Sequence, residues 1–211
     1  MPFLCEAFGP EATAEPIPRA VIATAETVLL TALRPDVGLA LWLRELPPAI
    51  PRACSPLLRA APFRALGEGA PGEALDQAAA DLPGEAPLDV LADALRLAQI
   101  FCALIRRETL RIRLDGVTGD ACRKFHVDAV GFRLLVTYAG AGTQWTLADP
   151  EAGGHIHDVP AGAVALFRGR TRPGAHVLHR SPPISALPQG LPAARRNRLV
   201  LVLDEPQEAG P

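Results

Sequence analysis

The sequence predicts an α+β fold that is mainly β, a sandwich or barrel of short strands supported by an N-terminal helical region. Two observations carry this prediction. After one long amphipathic helix, the hydrophobic period changes from 3.6 to 2 residues, as expected where strands begin. Gly and Pro also number 18 and 22 among 211 residues, which favours many turns over a helical bundle.

The chain before the long helix divides into a loose leader and an α/β support region. Residues 1–19 are acidic and interrupted by prolines, without the basic start and apolar stretch of a signal peptide. The support region, 20–109, is rich in short apolar segments. Its candidate elements are 20–34 (strand or helix), 36–46 (anchored by Trp42), and short helical pieces near 54–60 and 73–80.

The clearest single element is a helix over 88–107, in which apolar residues recur at steps of three and four. Asp89 near its start and Arg106 and Arg107 near its end suit the helix dipole. We expect the stripe to pack against a sheet. It consists of Leu88, Leu91, Leu95, Ala98, Cys102 and Ile105.

Residues 110–204 form the predicted β domain, and 205–211 a tail. Leu110, Ile112 and Leu114 alternate with arginines, as in a half-exposed strand. Turn residues such as Asp115-Gly116 separate it from the next segment. The further predicted strands are 124–128, 132–138, 144–147, 163–167, 175–179 and 198–204.

Composition argues against several classes of function. The net charge of −2 gives no basic face for nucleic acid. No apolar window approaches the length of a spanning helix, so we expect a cytoplasmic protein without a membrane partner. The cysteines have no CxxC spacing, which argues against a zinc ribbon or a disulfide framework. They are Cys5, Cys54, Cys102 and Cys122.

His126 and Asp128 are the first candidate metal ligands. On a strand, two residues separated by one position point to the same face. An imidazole nitrogen and a carboxylate oxygen can then reach one ion, which gives two ligands of a two-histidine, one-carboxylate facial triad. The competing interpretation is a surface pair without a metal.

The second half of the sequence resembles a known enzyme fold. The stretch 159–184, VPAGAVALFRGRTRPGAHVLHRSPPI, resembles the later strands of 2-oxoglutarate/Fe(II) dioxygenases, including prolyl-hydroxylase-like members. The resemblance implies a double-stranded β-helix (jelly-roll, cupin-like) over 110–204. It also implies that His179 joins His126 and Asp128 as a ligand of Fe(II), with 2-oxoglutarate as co-substrate.

The same resemblance suggests residues for the co-substrate. Arg198 opens the last strand, where the family places a cation that pairs with the far carboxylate of 2-oxoglutarate. The interval from His179 to Arg198 is longer than is usual in the family, which leaves Arg196 and Arg180 as alternatives. Thr137 and Tyr138 correspond to a strand that lines the co-substrate pocket.

A closer resemblance covers most of the chain. The motifs C-x-x-F-H-x-D from Cys122, T-Y-x-G-x-G-T-x-W from Thr137 and H-R-S-P-P from His179 resemble the bacterial "domain of unknown function 1826" family, over about 26–204. This resemblance implies a fold rather than a reaction.

Several alternatives remain open at this stage. His176 is a rival to His179, and a Cys122 thiolate in the site would favour zinc over iron. An accessory site could use His155, His157 and Asp158, and Trp145 is either a pocket platform or core. The function is then a metal-dependent oxygenase with a small-molecule or peptide substrate, a non-catalytic zinc-binding or metal-homeostasis protein, or a cupin-like hydrolase or isomerase.

Overall fold

The computed structural model describes residues 17–120, 122–183 and 196–206. Its strands are β1 Arg19–Ala23, β2 Val37–Trp42, β3 Phe63–Gly69, β4 Leu110–Val117, β5 Phe132–Ala139, β6 Gln144–Thr146, β7 His157–Asp158, β8 Val164–Arg168, β9 Leu178–Arg180 and β10 Arg198–Asp204. Its α-helices are α1 Ala49–Ala53, α2 Ser55–Ala60, α3 Pro71–Ala80 and α4 Leu88–Ile105, with 3-10 helices at Glu26–Leu33 and Pro150–Ala152.

Two sheets make up the β structure. The large one has seven strands in the order β1-β2-β8-β5-β10-β4-β3, and the small one has three in the order β7-β6-β9. Only the β1–β2 pair is parallel among the described strand pairs. Three strands of the large sheet, β1 to β3, come from the predicted support region, which therefore supplies strands as well as helices.

The two faces of the large sheet pack against different partners. Because side chains alternate along a strand, Leu199, Leu201 and Leu203 of β10 lie in the core shared with the helices. Val200 and Val202 of the same strand lie in a second core, which includes Trp145 of the small sheet. The fold thus has a helical layer on one face and the small sheet on the other.

The buried stripe of helix α4 coincides with the predicted one at Ala98, Cys102 and Ile105 but not at Leu88. Val90, Ala94, Leu97 and Phe101 are buried against the sheet, whereas Leu88 is 82% exposed. The helix carries apolar residues around much of its circumference, so its sequence alone does not define which stripe faces the sheet. It ends at Ile105, two residues earlier than predicted, because Arg106 takes a left-handed conformation (φ 56°).

Some predicted boundaries are wrong. Segment 20–34 contains both a strand and a 3-10 helix, and β3 lies in a region for which only helices and turns are predicted. Asp115-Gly116 is no turn, since β4 continues through it with β3 and β10 on its two sides. The absent side chain of Gly116 leaves room for the ring of Phe63.

The predicted strand over 124–128 is also wrong. His126 makes one bridge with His179, and the residues on either side of it belong to no strand. After His126 the chain leaves the small sheet, and the Asp128 carbonyl accepts from the Arg170 amide at 2.9 Å. This crossover leads the chain into β5 of the large sheet.

The helices in the described ranges lack the combination of length and apolarity that a membrane crossing requires.

Candidate metal centre

Backbone pairing brings two histidines from distant parts of the chain together. The amides of His126 and His179 each donate to the other's carbonyl at 3.0 Å, and their imidazole centroids lie 4.8 Å apart. His179 belongs to β9, where Trp145 of β6 is its partner on the other side. Asp128 follows on the crossover towards β5, so its position does not come from the strand alternation that the sequence suggests.

The three predicted ligands converge. One ligand atom from each of His126, Asp128 and His179 lies within 4.8 Å of the others, and they are the only such group of histidine, cysteine and acidic residues among the described parts of the chain. Nε2 of His179 lies 2.9 Å and Nε2 of His126 3.6 Å from the Asp128 carboxylate. This arrangement could hold one metal ion.

The hydrogen bonding around these atoms suits a cation. Nδ1 of His126 lies 2.8 Å from the Lys124 carbonyl; donation of a proton there leaves Nε2 as the free lone pair of a neutral ring. Oδ2 of Asp128 is buried without a hydrogen-bond partner in the described structure. A buried carboxylate oxygen without a donor is costly, and a metal ion between Oδ2 and the two Nε2 atoms would satisfy it.

Arg133 holds the other oxygen of the carboxylate. From β5, its Nη1 donates to Oδ1 of Asp128. Its Nε and Nη2 donate to the two oxygens of Asp204 at 2.6 and 2.7 Å. Both ends of the guanidinium are therefore fixed, and Asp128 is left with one oxygen for a metal.

The charges of these residues are coupled. Burial by itself would raise the pKa of Asp128, but the neighbouring imidazoles of His126 and His179 and the charge of Arg133 hold that pKa far below its usual range. The nearby carboxylate of Asp128, against the effect of burial, raises the pKa of His126. Without a metal, a proton on His126 is stabilised by the carboxylate.

His126, His179 and Arg198 of β10 line a cavity of about 140 Å³. Arg198 as a whole is 2% exposed, and its guanidinium has only neutral hydrogen-bond partners among the described residues. Burial lowers its pKa to about 10. Its acceptors are the Ala141 carbonyl at 2.6 Å, Ser181 Oγ at 2.9 Å, and Thr137 and Thr143 Oγ1 at 3.3 Å.

Thr137 and Tyr138 do not share a role. Thr137 Oγ1 contacts Arg198 on the cavity face of β5. Tyr138 is the next residue and so points to the opposite face, where its hydroxyl donates to Asp93 of α4 at 2.8 Å. The predicted place of Tyr138 in the co-substrate pocket is therefore wrong, because strand alternation puts it in the helix-side core.

The remaining alternatives lie outside the three-ligand group. His176 is half-buried and absent from it, as are the exposed residues His157 and Asp158. Trp145 is core, 4% exposed, with its ring stacked on His157 at 4.5 Å. Cys122 is exposed at the cavity lining.

Of the alternative arginines, Arg180 lines the cavity and Arg196 is exposed. The parts that Arg133 and Asp204 play in holding Asp128 are not among the predictions from the sequence. The sequence gives a signal for both, because each is a charged residue at the end of an apolar run within its strand.

The family assignment follows from the whole sequence. The model of the family described as "Protein of unknown function (DUF1826)" matches residues 23–204. The chain belongs to this family. None of the curated proteins compared with this DUF1826 member is significantly similar to it.

Solved structures support the fold. The rice dioxygenase for auxin oxidation is 17% identical, with a TM-score of 0.50 over 88% of this chain and 81% of its own. Dioxygenase for auxin oxidation 1 from Arabidopsis thaliana, solved as a complex with 2-oxoglutarate, is 11% identical, with a TM-score of 0.50 over 88% and 91%. The predicted double-stranded β-helix with a supporting helical region is confirmed for this DUF1826 protein.

Proposed function

We propose that this protein is a metal-dependent oxygenase that uses Fe(II) and 2-oxoglutarate. The observation that carries the proposal is the position of Arg198. Its buried guanidinium lines the same cavity as two of the candidate ligands, His126 and His179, and meets only neutral acceptors in the described structure. A buried cation of this kind calls for an anion.

The donor set fits iron. Two imidazole nitrogens and one carboxylate oxygen on one side of an ion leave coordination positions open, as non-haem Fe(II) oxygenases require. His126, Asp128 and His179 would hold the ion, and bound Fe(II) with 2-oxoglutarate would supply the activation of dioxygen.

The chain's own residues would position the co-substrate. The charged guanidinium of Arg198 would pair with a carboxylate and donate to it the Nη1 proton that its described partners leave unused. Hydroxyls of Thr137, Thr143 and Ser181 hold the fork in place. Val200 and Val202 of β10 line the same cavity and limit the water within it.

The same observations weigh against the two other functions. A structural or storage zinc site is normally closed by a fourth protein ligand, whereas the group of described residues has three and leaves Cys122 outside. A hydrolase or isomerase with a Lewis-acid metal has no need of a buried guanidinium beside the ion. Zinc remains the alternative metal.

The test is metal content and turnover of protein purified without oxygen. We expect about one Fe(II) per chain and an uptake of dioxygen that depends on 2-oxoglutarate and yields succinate. His126→Ala should lose both, whereas His155→Ala, which changes an exposed histidine, should lose neither. Bound iron without 2-oxoglutarate-dependent uptake would leave a metal-binding protein and refute the oxygenase.

A further inference from the structure

Basic side chains are concentrated around the metal cavity, which is the cavity that His126 and His179 line. The chain as a whole, in contrast, has a net charge of −2. The cavity lining includes one acidic residue, Asp115, and five arginines. These are Arg64, Arg113, Arg133, Arg180 and Arg198. A cavity lined by one sign of charge concentrates ligands of the opposite sign.

Three of these arginines are paired inside the protein. Arg64 and Arg113 contact Asp115 at 3.0 and 3.7 Å, and Arg133 contacts Asp128 and Asp204. Arg198 is the cation that the proposed function assigns to 2-oxoglutarate. Among the described residues, Arg180 is the lining arginine without an acidic partner, and it is left for another ligand.

Arg180 is held in place by neutral groups. Its Nε donates to the side-chain amide oxygen of Gln144 at 2.9 Å, and its Nη1 lies 3.5 Å from the Arg123 carbonyl. Its guanidinium carbon lies 4.4 Å from the centre of the Phe125 ring. These contacts orient the cation without neutralising its charge.

Arg180 also borders a groove outside the metal cavity, with a volume of about 780 Å³. This volume is in the range of small-molecule sites. Phe125, Ile156 and Leu178 give the groove an apolar wall, and Ile156 is 44% exposed. Its charged residues are three basic and two acidic, namely Arg123, Lys124, Arg180, Asp149 and Glu151.

We infer that the substrate of this site is a small organic anion whose carboxylate or phosphate binds Arg180 while its apolar body lies in the groove. The inference rests on the proposed function for the reaction that follows binding. Because a divalent ion and the two carboxylates of 2-oxoglutarate cancel in charge, the excess positive charge persists in the loaded site. An anionic group on the substrate would balance it.

Binding of matched probes tests the inference without turnover. Zn(II)-loaded protein containing 2-oxoglutarate is titrated by calorimetry with 2-naphthoate, 2-naphthyl phosphate and the neutral 2-naphthamide. We expect one of the anions to bind about tenfold or more tightly than the amide. The stronger of the two identifies the acid group.

Two variants of Arg180 locate the preference. Arg180→Gln should bind the anion and the amide equally, and Arg180→Lys should restore part of the preference. Arg96→Gln is the matched control: Arg96 lies on α4, where it makes an exposed pair with Glu26, and the variant should behave as wild type.

Equal or undetectable binding of all three probes to the wild type at millimolar concentration overturns the inference. A preference for the anion over the amide that persists in Arg180→Gln also overturns the inference. The protein could also show an Arg180-dependent preference for the anion but no oxygen uptake that depends on 2-oxoglutarate. That result would support the anion site and refute only the oxygenase.

Discussion

Arg133 makes the two oxygens of the Asp128 carboxylate inequivalent. Its Nη1 atom donates to Oδ1, and Oδ2 lies 2.9 Å from Nε2 of His179 without a hydrogen-bond partner in the described structure. Asp204 fixes the same guanidinium from the next strand. Asp128 would thereby coordinate an ion through one oxygen, which would leave more positions on the ion for other ligands.

Loss of this guanidinium should weaken metal binding. In Arg133→Gln, Asp128 loses its charged partner and can rotate, so we expect the affinity for Co(II) or Zn(II) to fall about 10- to 100-fold. Arg133→Lys keeps the charge but loses the fork and should lie between. Titration followed by the Co(II) absorption bands measures both affinity and geometry. A wild-type spectrum and affinity in Arg133→Gln would contradict this account, and Arg96→Gln serves as the control.

Arg198 should control the affinity for 2-oxoglutarate and leave the metal in place. Truncation of one partner of a buried charge pair costs about 2–5 kcal/mol, so Arg198→Gln should raise the dissociation constant at least about 30-fold. The exposed neighbour Arg196 offers the matched variant Arg196→Gln, which should change nothing. Calorimetry with Zn(II)-loaded protein gives the constants. The opposite ranking of the two variants would assign the co-substrate to Arg196.

Adjacent residues of β5 should respond in opposite ways. Tyr138→Phe removes the hydrogen bond to Asp93 and should lower the free energy of unfolding by about 1–3 kcal/mol, with 2-oxoglutarate binding unchanged. Thr137→Val removes a contact to Arg198 and should weaken that binding. Urea denaturation and calorimetry separate the two effects. Weaker 2-oxoglutarate binding in Tyr138→Phe at unchanged stability would show that Tyr138 belongs to the co-substrate pocket after all.

His126 gives the metal-free protein a defined pH dependence. Because its folded-state pKa is raised above the ordinary 6.5, protonated His126 stabilises the fold fully below that ordinary value. This contribution is lost as the pH rises through the folded-state pKa. Metal binding has the opposite trend, since a proton and the ion compete for Nε2. In Asp128→Asn we expect an NMR titration to show a lower His126 pKa; an unchanged value would remove Asp128 as the cause.

The sequence predicts much of the site because its key spacings are short or carried by motifs. The pair His126 and Asp128 lies two positions apart, and the H-R-S-P-P motif selects His179 over His176. The structure brings all three together. The predicted reason, alternation along one strand, is wrong, because a single bridge to His179 and a crossover towards β5 place the two residues instead.

The sequence does not show which face of each helix or strand is buried, or which residues far apart in the chain pair with each other. Tyr138 and Thr137 look equivalent until the faces of β5 are known. In α4, the apolar residues cover more than one stripe, so packing rather than pattern decides that Val90 is buried and Leu88 exposed. Arg133 and Asp204 are 71 positions apart, and their pairing depends on the register of β5 and β10.

The separation of the large sheet into a helix-facing and a cavity-facing side has a consequence for how this protein can change over evolution. Point substitutions at Val200 or Val202 reshape the cavity while the leucines between them keep the helical layer in place. An insertion or deletion of one residue within β10 would exchange the two sets and turn Arg198 towards the helices. Related proteins with other substrates should therefore differ here by replacement of side chains and keep the length of this strand constant.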